Sequence, residues 1–455
     1  MQETLNIHQP VHLAAKAQPP MLAGALPFLG HALAFQRDRL AIFQRGYAEH
    51  GAVFAIKLVQ QPVAVVIGPE FSQIFYTETD KALNISKPYR FLRAMFGEAL
   101  FLGPHEEYLQ QRQIVQEMFR RQKMAQYLQV TQEEVQAELD SWGNAGEIEL
   151  TGVTNRLVKR VAGNSFLGRA VNEQIGGEFW ELYEDVNGGL DVLLPPHWPL
   201  PKFRRRDRAK ARMLAILQPI IQERKQHAAQ YDDLFQDIIN KALEIYGDFD
   251  DTMIMNLLIA LMWAGHETTT GQGAWSIIHL LQNPDYLQLV RAEIDAYLTP
   301  GQLFDHRVYA QLEHIQWVTK EIERMRPSAD TAMRVVDEPI AVGDYTIPAG
   351  WLVQVAAEVS HKLPALWDEP ERFDPLRFSP ERAEDKQHRF AMIGFGGGMH
   401  KCTGMNFANM EISVIVALLF QQFEVALITP NPRIARGMGA NKPTATWLRY
   451  RRRSQ

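Results

Sequence analysis

The stretch FGGGMHKCTG, residues 395–404, runs directly into MNFANMEISVIVALLFQQF, residues 405–423. Three successive glycines make a loop whose backbone can approach another group closely. The nineteen residues after the loop are apolar on nearly every side and predict a buried helix. Cys402 therefore stands where a Gly-rich turn enters a helix, and it is the only cysteine among 455 residues. Loop amides and a helix N-terminus favour a thiolate over a thiol, and a thiolate is a nucleophile or a metal ligand. The alternative is a small buried hydrophobe. The glycines speak against that alternative, as do His400 and Lys401 beside a nominally apolar site. Zinc is poorly supported, because one His-x-Cys lacks the usual ligand number and spacing.

A lone cysteine excludes an internal disulfide framework and fits a reducing compartment. Hydrophobic residues make up 46% and charged residues 22% of the chain, an ordinary globular composition. With 47 Lys plus Arg against 53 Asp plus Glu, the formal charge is −6, which gives no reason to expect nucleic acid. The N-terminal stretch MQETLNIHQPVHLAAKAQPP has no basic region followed by an apolar core, so it does not read as a signal peptide. The apolar run from Met253 to Ala264 is too short to span a bilayer. The expectation is a cytoplasmic protein without an integral membrane anchor. The basic clusters Arg204–Arg206 and Arg449 with Arg451–Arg453 are expected to be solvated faces.

Residues 52–80 and 333–358 contain short β-branched runs such as AVFAIKL, PVAVVIG and WLVQVAAEV and predict a β-rich part. Elsewhere apolar residues recur three and four apart, as over residues 112–143, 232–247 and 286–298, which predicts helices. The expected fold is mainly α with a smaller β region (α+β): a tail over residues 1–18, then a single large helical domain over residues 19–455. The longest predicted helix runs from Asp251 to Leu281 and stops at Asn283-Pro284. In its middle lies AGHETTT, residues 264–270. Thr268 is placed to bond back to the Ala264 carbonyl, which predicts a local opening or kink. Glu267 puts a carboxylate where the flanks predict core, and a surface position is the alternative for it.

Phe395-x-x-Gly398-x-His400-x-Cys402-x-Gly404 resembles the heme-ligand loop of the cytochrome P450 family, with His400 at a position that is commonly arginine. Residues 264–269, AGHETT, resemble the oxygen-activating segment of that family's long central helix. Glu321-x-x-Arg324 in KEIERMRP resembles its ExxR motif, and Arg377 in FDPLRF supplies the third member. The likeness covers about residues 20–453. It implies a single domain built around heme b, with Cys402 as axial thiolate and Phe395, Gly398, Gly404 and Ala264 packed about the cofactor. Glu267 and Thr268 would supply protons for oxygen activation. Glu321, Arg324 and Arg377 would form a structural ion network. His400, Arg334, Arg112 and Tyr89 would hold the propionates; Tyr108 stands where Trp or His is common.

Within the family the sequence looks most like bacterial sterol 14-demethylases, through KPYRFLRAMFGEALF, FRRRDRAKARM and the terminal RYRRR. It departs from them at Ala94, where proline is usual, and at Glu267, where histidine is usual. The resemblance implies a sizeable apolar substrate, a sterol, terpenoid or fatty acid, in a pocket drawn from Phe91, Phe96, Leu100, Leu261, Ala329 and Thr331. Asp330 lies in that neighbourhood and is expected to be an exposed turn carboxylate. A monooxygenase also requires dioxygen and an external electron donor, a ferredoxin or flavodoxin with its reductase. Arg120, Arg121, Lys123 and Lys401 are candidates for its docking face. The rival readings are a peroxygenase or isomerase of the same heme type, sterol 14-demethylation specifically, and a non-enzymatic carrier of an apolar ligand.

Overall fold

The computed structural model describes residues 17–192, 194–437 and 440–454. The expected tail thus lies outside the described residues up to residue 16, and Ala17 already pairs with Tyr345. In chain order the α-helices are α1 (Ala32–His50), α2 (Pro69–Thr77), α3 (Arg93–Phe96), α4 (His105–Met118), α5 (Arg121–Asp140), α6 (Leu150–Phe166), α7 (Arg169–Gly188) and α8 (Pro201–Gln226). They continue as α9 (Leu234–Tyr246), α10 (Asp251–Gln282), α11 (Pro284–Tyr297), α12 (His306–Gln311), α13 (Glu313–Met325), α14 (Ala357–Ser360) and α15 (Met405–Gln422). The strands are β1 (Val53–Leu58), β2 (Gln61–Val66), β3 (Leu83–Asn84), β4 (Ala145–Glu149), β5 (Thr331–Val336) and β6 (Ile340–Val342). They close with β7 (Tyr345–Ile347), β8 (Leu352–Ala356), β9 (Phe423–Leu427), β10 (Ile434–Arg436), β11 (Asn441–Pro443) and β12 (Trp447–Arg452).

Helix α10 is the axis of the molecule. The Asp250 carboxylate caps it by accepting from the Thr252 amide at 2.9 Å. Most of its 32 residues are buried against α6, α13 and α15. The Thr268 hydroxyl donates to the Ala264 carbonyl at 2.6 Å. Yet α10 continues without the expected kink, because helices packed along its length hold the ladder in register. Helix α15 is long and apolar enough to cross a membrane, but it lies largely inside the protein as a core helix.

The two predicted β regions join into one five-stranded sheet of order β1-β2-β8-β5-β3. Strand β8 bridges them, running parallel to β2 and antiparallel to β5, with Arg334 opposite Val353. The β-rich expectation over residues 52–80 fails past Ile67: Gly68-Pro69 starts α2, with proline in the first turn where its missing amide costs nothing. The helical stretch 112–143 is broken between α4 and α5, where the Phe119 ring packs against Phe166 and Phe407. The sheet β4-β12-β9 and the hairpin β10–β11 were not expected. Arg206 corrects the solvated-face expectation. It is buried and donates to the carbonyls of Gly189 and Pro196.

Candidate active site

The loop before α15 is folded back on itself by the Cys402 amide, which donates to the Phe395 carbonyl at 2.9 Å. Gly398 has φ 61°, and a Cβ there would lie 2.7 Å from the Tyr76 carbonyl oxygen, so only glycine lets the loop rest on α2. Cys402 is surrounded by protein on nearly all sides, yet its surface is accessible, so it faces an interior space. Burial pushes its thiol above the ordinary value, although the Gly404 and Met405 amides pull the other way. The thiolate expected from the helix terminus is therefore not stabilised by the polypeptide alone: desolvation outweighs the amides. A coordinated metal cation reverses that balance and deprotonates a thiol.

Ala264 is exposed although α10 is buried on either side of it, so it too opens onto interior space. Phe395 is half-buried. Glu267 is half-buried, and its Oε2 accepts from Lys442 on β11. Its Oε1 lies 3.6 Å from His266 Nδ1. The Ser328 hydroxyl donates to the Thr268 carbonyl at 3.2 Å and the Gln272 amide to the Arg326 carbonyl at 2.6 Å, which pins this part of α10 to the chain after α13.

Arg334 is buried, and its donors reach only the Thr79 hydroxyl at 3.0 Å and the Met333 carbonyl at 2.8 Å. Among the described residues no carboxylate lies within ion-pair distance of it. The Tyr89 hydroxyl accepts from the Met333 amide at 3.0 Å, which leaves its own proton to donate. Arg112 donates to the Tyr108 hydroxyl at 2.9 Å. Tyr108 stacks on His400 with ring centroids 4.5 Å apart. His400 Nε2 lies 2.5 Å from an Asp80 carboxylate oxygen. Burial works to raise the Asp80 carboxyl, but His400, His105 and Arg334 outweigh it and leave the carboxyl below its ordinary value. Asp80 escaped the sequence reading, because nothing in TETDK ties it to a histidine 320 residues away.

Glu321, Arg324 and Arg377 are fully buried and mutually bonded. Arg324 donates to both Glu321 carboxylate oxygens at 2.7 and 2.8 Å, and Arg377 Nε donates to Glu321 at 3.2 Å. Arg324 also reaches the carbonyls of His361, Pro370 and Arg372, while Arg377 reaches Glu384 at 2.7 Å. Every charge is thus met at zero exposure, the condition under which burying such ions is tolerable.

Phe96 and Leu261 belong to one apolar cluster, against which Tyr89, Phe91 and Leu100 pack. Leu100 has φ 54°, a left-handed backbone unusual for leucine, held where the Gln111 side chain accepts from its amide at 2.6 Å. Ala329 is exposed and Thr331 half-buried. Asp330 between them is no exposed turn carboxylate. It is buried and gripped by Arg39 at 2.6 and 2.7 Å and by Arg436 at 2.6 Å, since alternation along the extended chain turns it away from its neighbours.

The cytochrome P450 family profile matches residues 19–445. The chain is a cytochrome P450. Rat lanosterol 14-alpha demethylase is 30% identical over 465 residues, covering 99% of this chain and 91% of that protein. Arabidopsis thaliana sterol 14-demethylase is 28% identical over 449 residues, covering 96% and 92%. Retinoic-acid-bound cyanobacterial CYP120A1 superposes with a TM-score of 0.83 at 25% identity, covering 96% of this chain and 100% of that one. A cytochrome P450DA heme domain shares the fold, with a TM-score of 0.86 at 21% identity, 97% and 99% covered.

This P450 is accordingly an oxidoreductase, a monooxygenase that carries heme b on a cysteine thiolate. Its residues fit the cofactor. Cys402, the only cysteine, is enclosed by protein yet accessible to an interior space, and Arg334 is a buried cation lacking an anionic partner that a propionate would supply.

Proposed function

We propose that this P450 oxidises a sizeable apolar molecule, a sterol, terpenoid or fatty-acid-like compound, in the cytoplasm, with electrons from a separate ferredoxin- or flavodoxin-type donor. The observation that carries the proposal is the apolar cluster along α10, in which Phe96 and Leu261 are buried and against which Phe91 and Leu100 pack: aromatic and aliphatic surface one turn from the exposed Ala264, of the kind that suits an apolar ligand. When bound, the heme supplies oxygen activation, made possible by thiolate donation. Cys402 would hold the iron, with the Gly404 and Met405 amides directed at its sulfur. Phe395, Gly398 and Gly404 would shape the space beneath the cofactor, and Ala264 would keep the space above it free. Arg334, Arg112, His400 and Tyr89 would bind the propionates. The Thr268 hydroxyl, already bonded to the Ala264 carbonyl, would keep its oxygen lone pairs available to orient a water, and Glu267 would hold and release the proton. Glu321, Arg324 and Arg377 would keep the chain before the cysteine loop rigid.

Arg121 and Lys401 remain exposed for a donor's acidic face, whereas Arg120 pairs with Glu117 and Lys123 with Asp237. Sterol 14-demethylation is the second reading, supported by the names of the relatives; Glu267 and Ala94 separate this chain from the bacterial enzymes it resembles. A sterol, terpene and fatty-acid panel scored by the heme spin-state shift separates the two. A response confined to sterols favours the second reading, and no response to any apolar compound rejects both. Turnover on peroxide alone, with no gain from a reductase system, would instead indicate a peroxygenase. Thr268→Ala is expected to keep the heme and divert at least half of the consumed electrons to peroxide; unchanged coupling rejects the relay role.

A further inference from the structure

The mechanism leaves His266 unused. It is buried at 1% exposure inside α10, and among the described residues neither ring nitrogen has a hydrogen-bond partner. Two more orphaned polar atoms lie beside it. The Tyr183 hydroxyl on α7 is fully buried and unpartnered, its ring centroid 6.1 Å from the imidazole. The Thr270 hydroxyl, one turn along the same face of α10, is likewise buried and unpartnered. Leaving four such atoms dry costs roughly 1–3 kcal/mol each. An ordered water needs two to four polar partners, which is what these atoms offer.

The site has an inner and an outer end. At the inner end His266 Nδ1 stands 3.6 Å from Glu267 Oε1, just beyond a direct hydrogen bond, and Lys442 fixes the other oxygen of that carboxylate. At the outer end lies the Lys159–Glu184 ion pair, with Lys159 over the Trp180 ring at 5.6 Å and Trp180 against the His266 ring at 6.0 Å. Glu184 is half exposed, so the pair touches solvent. The charged and titratable groups around the imidazole are therefore Lys159 on α6, Tyr183 and Glu184 on α7, Glu267 on α10 and Lys442 on β11.

We propose that His266 is a positioning residue for Glu267: it holds ordered water between α7 and α10 and passes protons inward from the Lys159–Glu184 end to the Glu267 carboxylate. The proposal rests on the relay role given above to Glu267. The step is a tautomer exchange. A water gives a proton to one ring nitrogen as the other nitrogen releases its own toward Glu267 Oε1. One N–H bond forms and one breaks on the ring, an O–H bond forms on Glu267, and the donor water regains its proton from solvent through the Lys159–Glu184 end, so the ring stays neutral and no electrons move. Burial suits it to this role, since desolvation lowers the imidazole pKa to about 3 and keeps the ring uncharged at neutral pH.

The test uses the full-length holoenzyme, reduced with dithionite and reoxidised by air in H2O and in D2O, without added substrate. His266→Phe, which keeps the aromatic packing but carries no proton, is expected to slow reoxidation about tenfold and abolish its solvent isotope effect. His266→Gln, which still binds water, is expected to regain part of the rate, and the reduced carbon monoxide spectrum reports that each variant keeps its thiolate-bound heme. A high-resolution crystal structure is expected to show a water within hydrogen-bonding distance of His266 and the Tyr183 hydroxyl; a dry site overturns the proposal. An unchanged His266→Phe beside a slowed Glu267→Gln overturns it too and leaves the Glu267 relay standing. An unchanged Glu267→Gln overturns the relay and this proposal with it.

Discussion

At Gly398 the backbone sits at φ 61° with the Tyr76 carbonyl directly beneath it. Gly398→Ala combines a left-handed alanine with a contact against backbone that cannot rotate away. The expected loss is about 1–3 kcal/mol, seen as a lower Tm, together with a reduced heme-to-protein ratio because the loop also carries Cys402. Equal heme content and Tm would mean the loop is not held on α2. Positions of this kind are legible in a sequence because glycine, cysteine and an i,i+3 pair such as Glu321 and Arg324 carry their geometry locally. Asp80, Lys442 and Asp330 are not, since what matters in each is a partner far along the chain. Asp330 shows the error that follows: a carboxylate between alanine and threonine reads as a turn until Arg39 and Arg436 are seen closing on it.

Among the elements, α15 carries a buried carboxylate of its own. Glu411 lies at 2% exposure with one carboxylate oxygen unpartnered, and burial pushes its carboxyl up to about 8. The unfolded chain releases that proton near 4.5, while the folded chain keeps it until about 8. Between those values the folded state binds the extra proton, so each rise in pH favours unfolding. Glu411→Gln, uncharged at every pH, is expected to match the parent in denaturant unfolding at pH 4.5 and exceed it by on the order of 3 kcal/mol at pH 8. A pH-independent difference would show that Glu411 does not titrate in this window. Long runs apolar on nearly every side foretold α15 and the first half of α10. Helical periodicity missed the break between α4 and α5, where a tertiary aromatic contact overrides a continuous pattern, and the short C-terminal strands, whose pairing partners lie elsewhere in the sequence.

Over the whole molecule, remote segments meet in one sheet and one ion cluster. Strand β8 joins β2 to β5 although nearly 300 residues separate β2 from β8, and no local signal sets that order. The Asp330 cluster ties the same parts together. Arg39 comes from α1, Arg436 from the hairpin β10–β11, and Arg436 also reaches Glu358 on α14. Asn441 on that hairpin bonds to the carbonyls of Ser328 and Pro327. Removing a buried partner leaves like charges facing each other, at about 3–5 kcal/mol when both are fully enclosed. Arg39 and Arg436 keep 22% and 25% exposure, so water screens part of that loss. Asp330→Asn is therefore expected to cost about 2 kcal/mol. Because the cluster joins α1 and the β10–β11 hairpin to the start of β5, the loss should be global. Urea unfolding followed by tryptophan fluorescence and by heme absorbance should shift to one common lower midpoint. A shift in heme absorbance alone would mean that the cluster braces the site locally instead of joining α1 and the hairpin to β5.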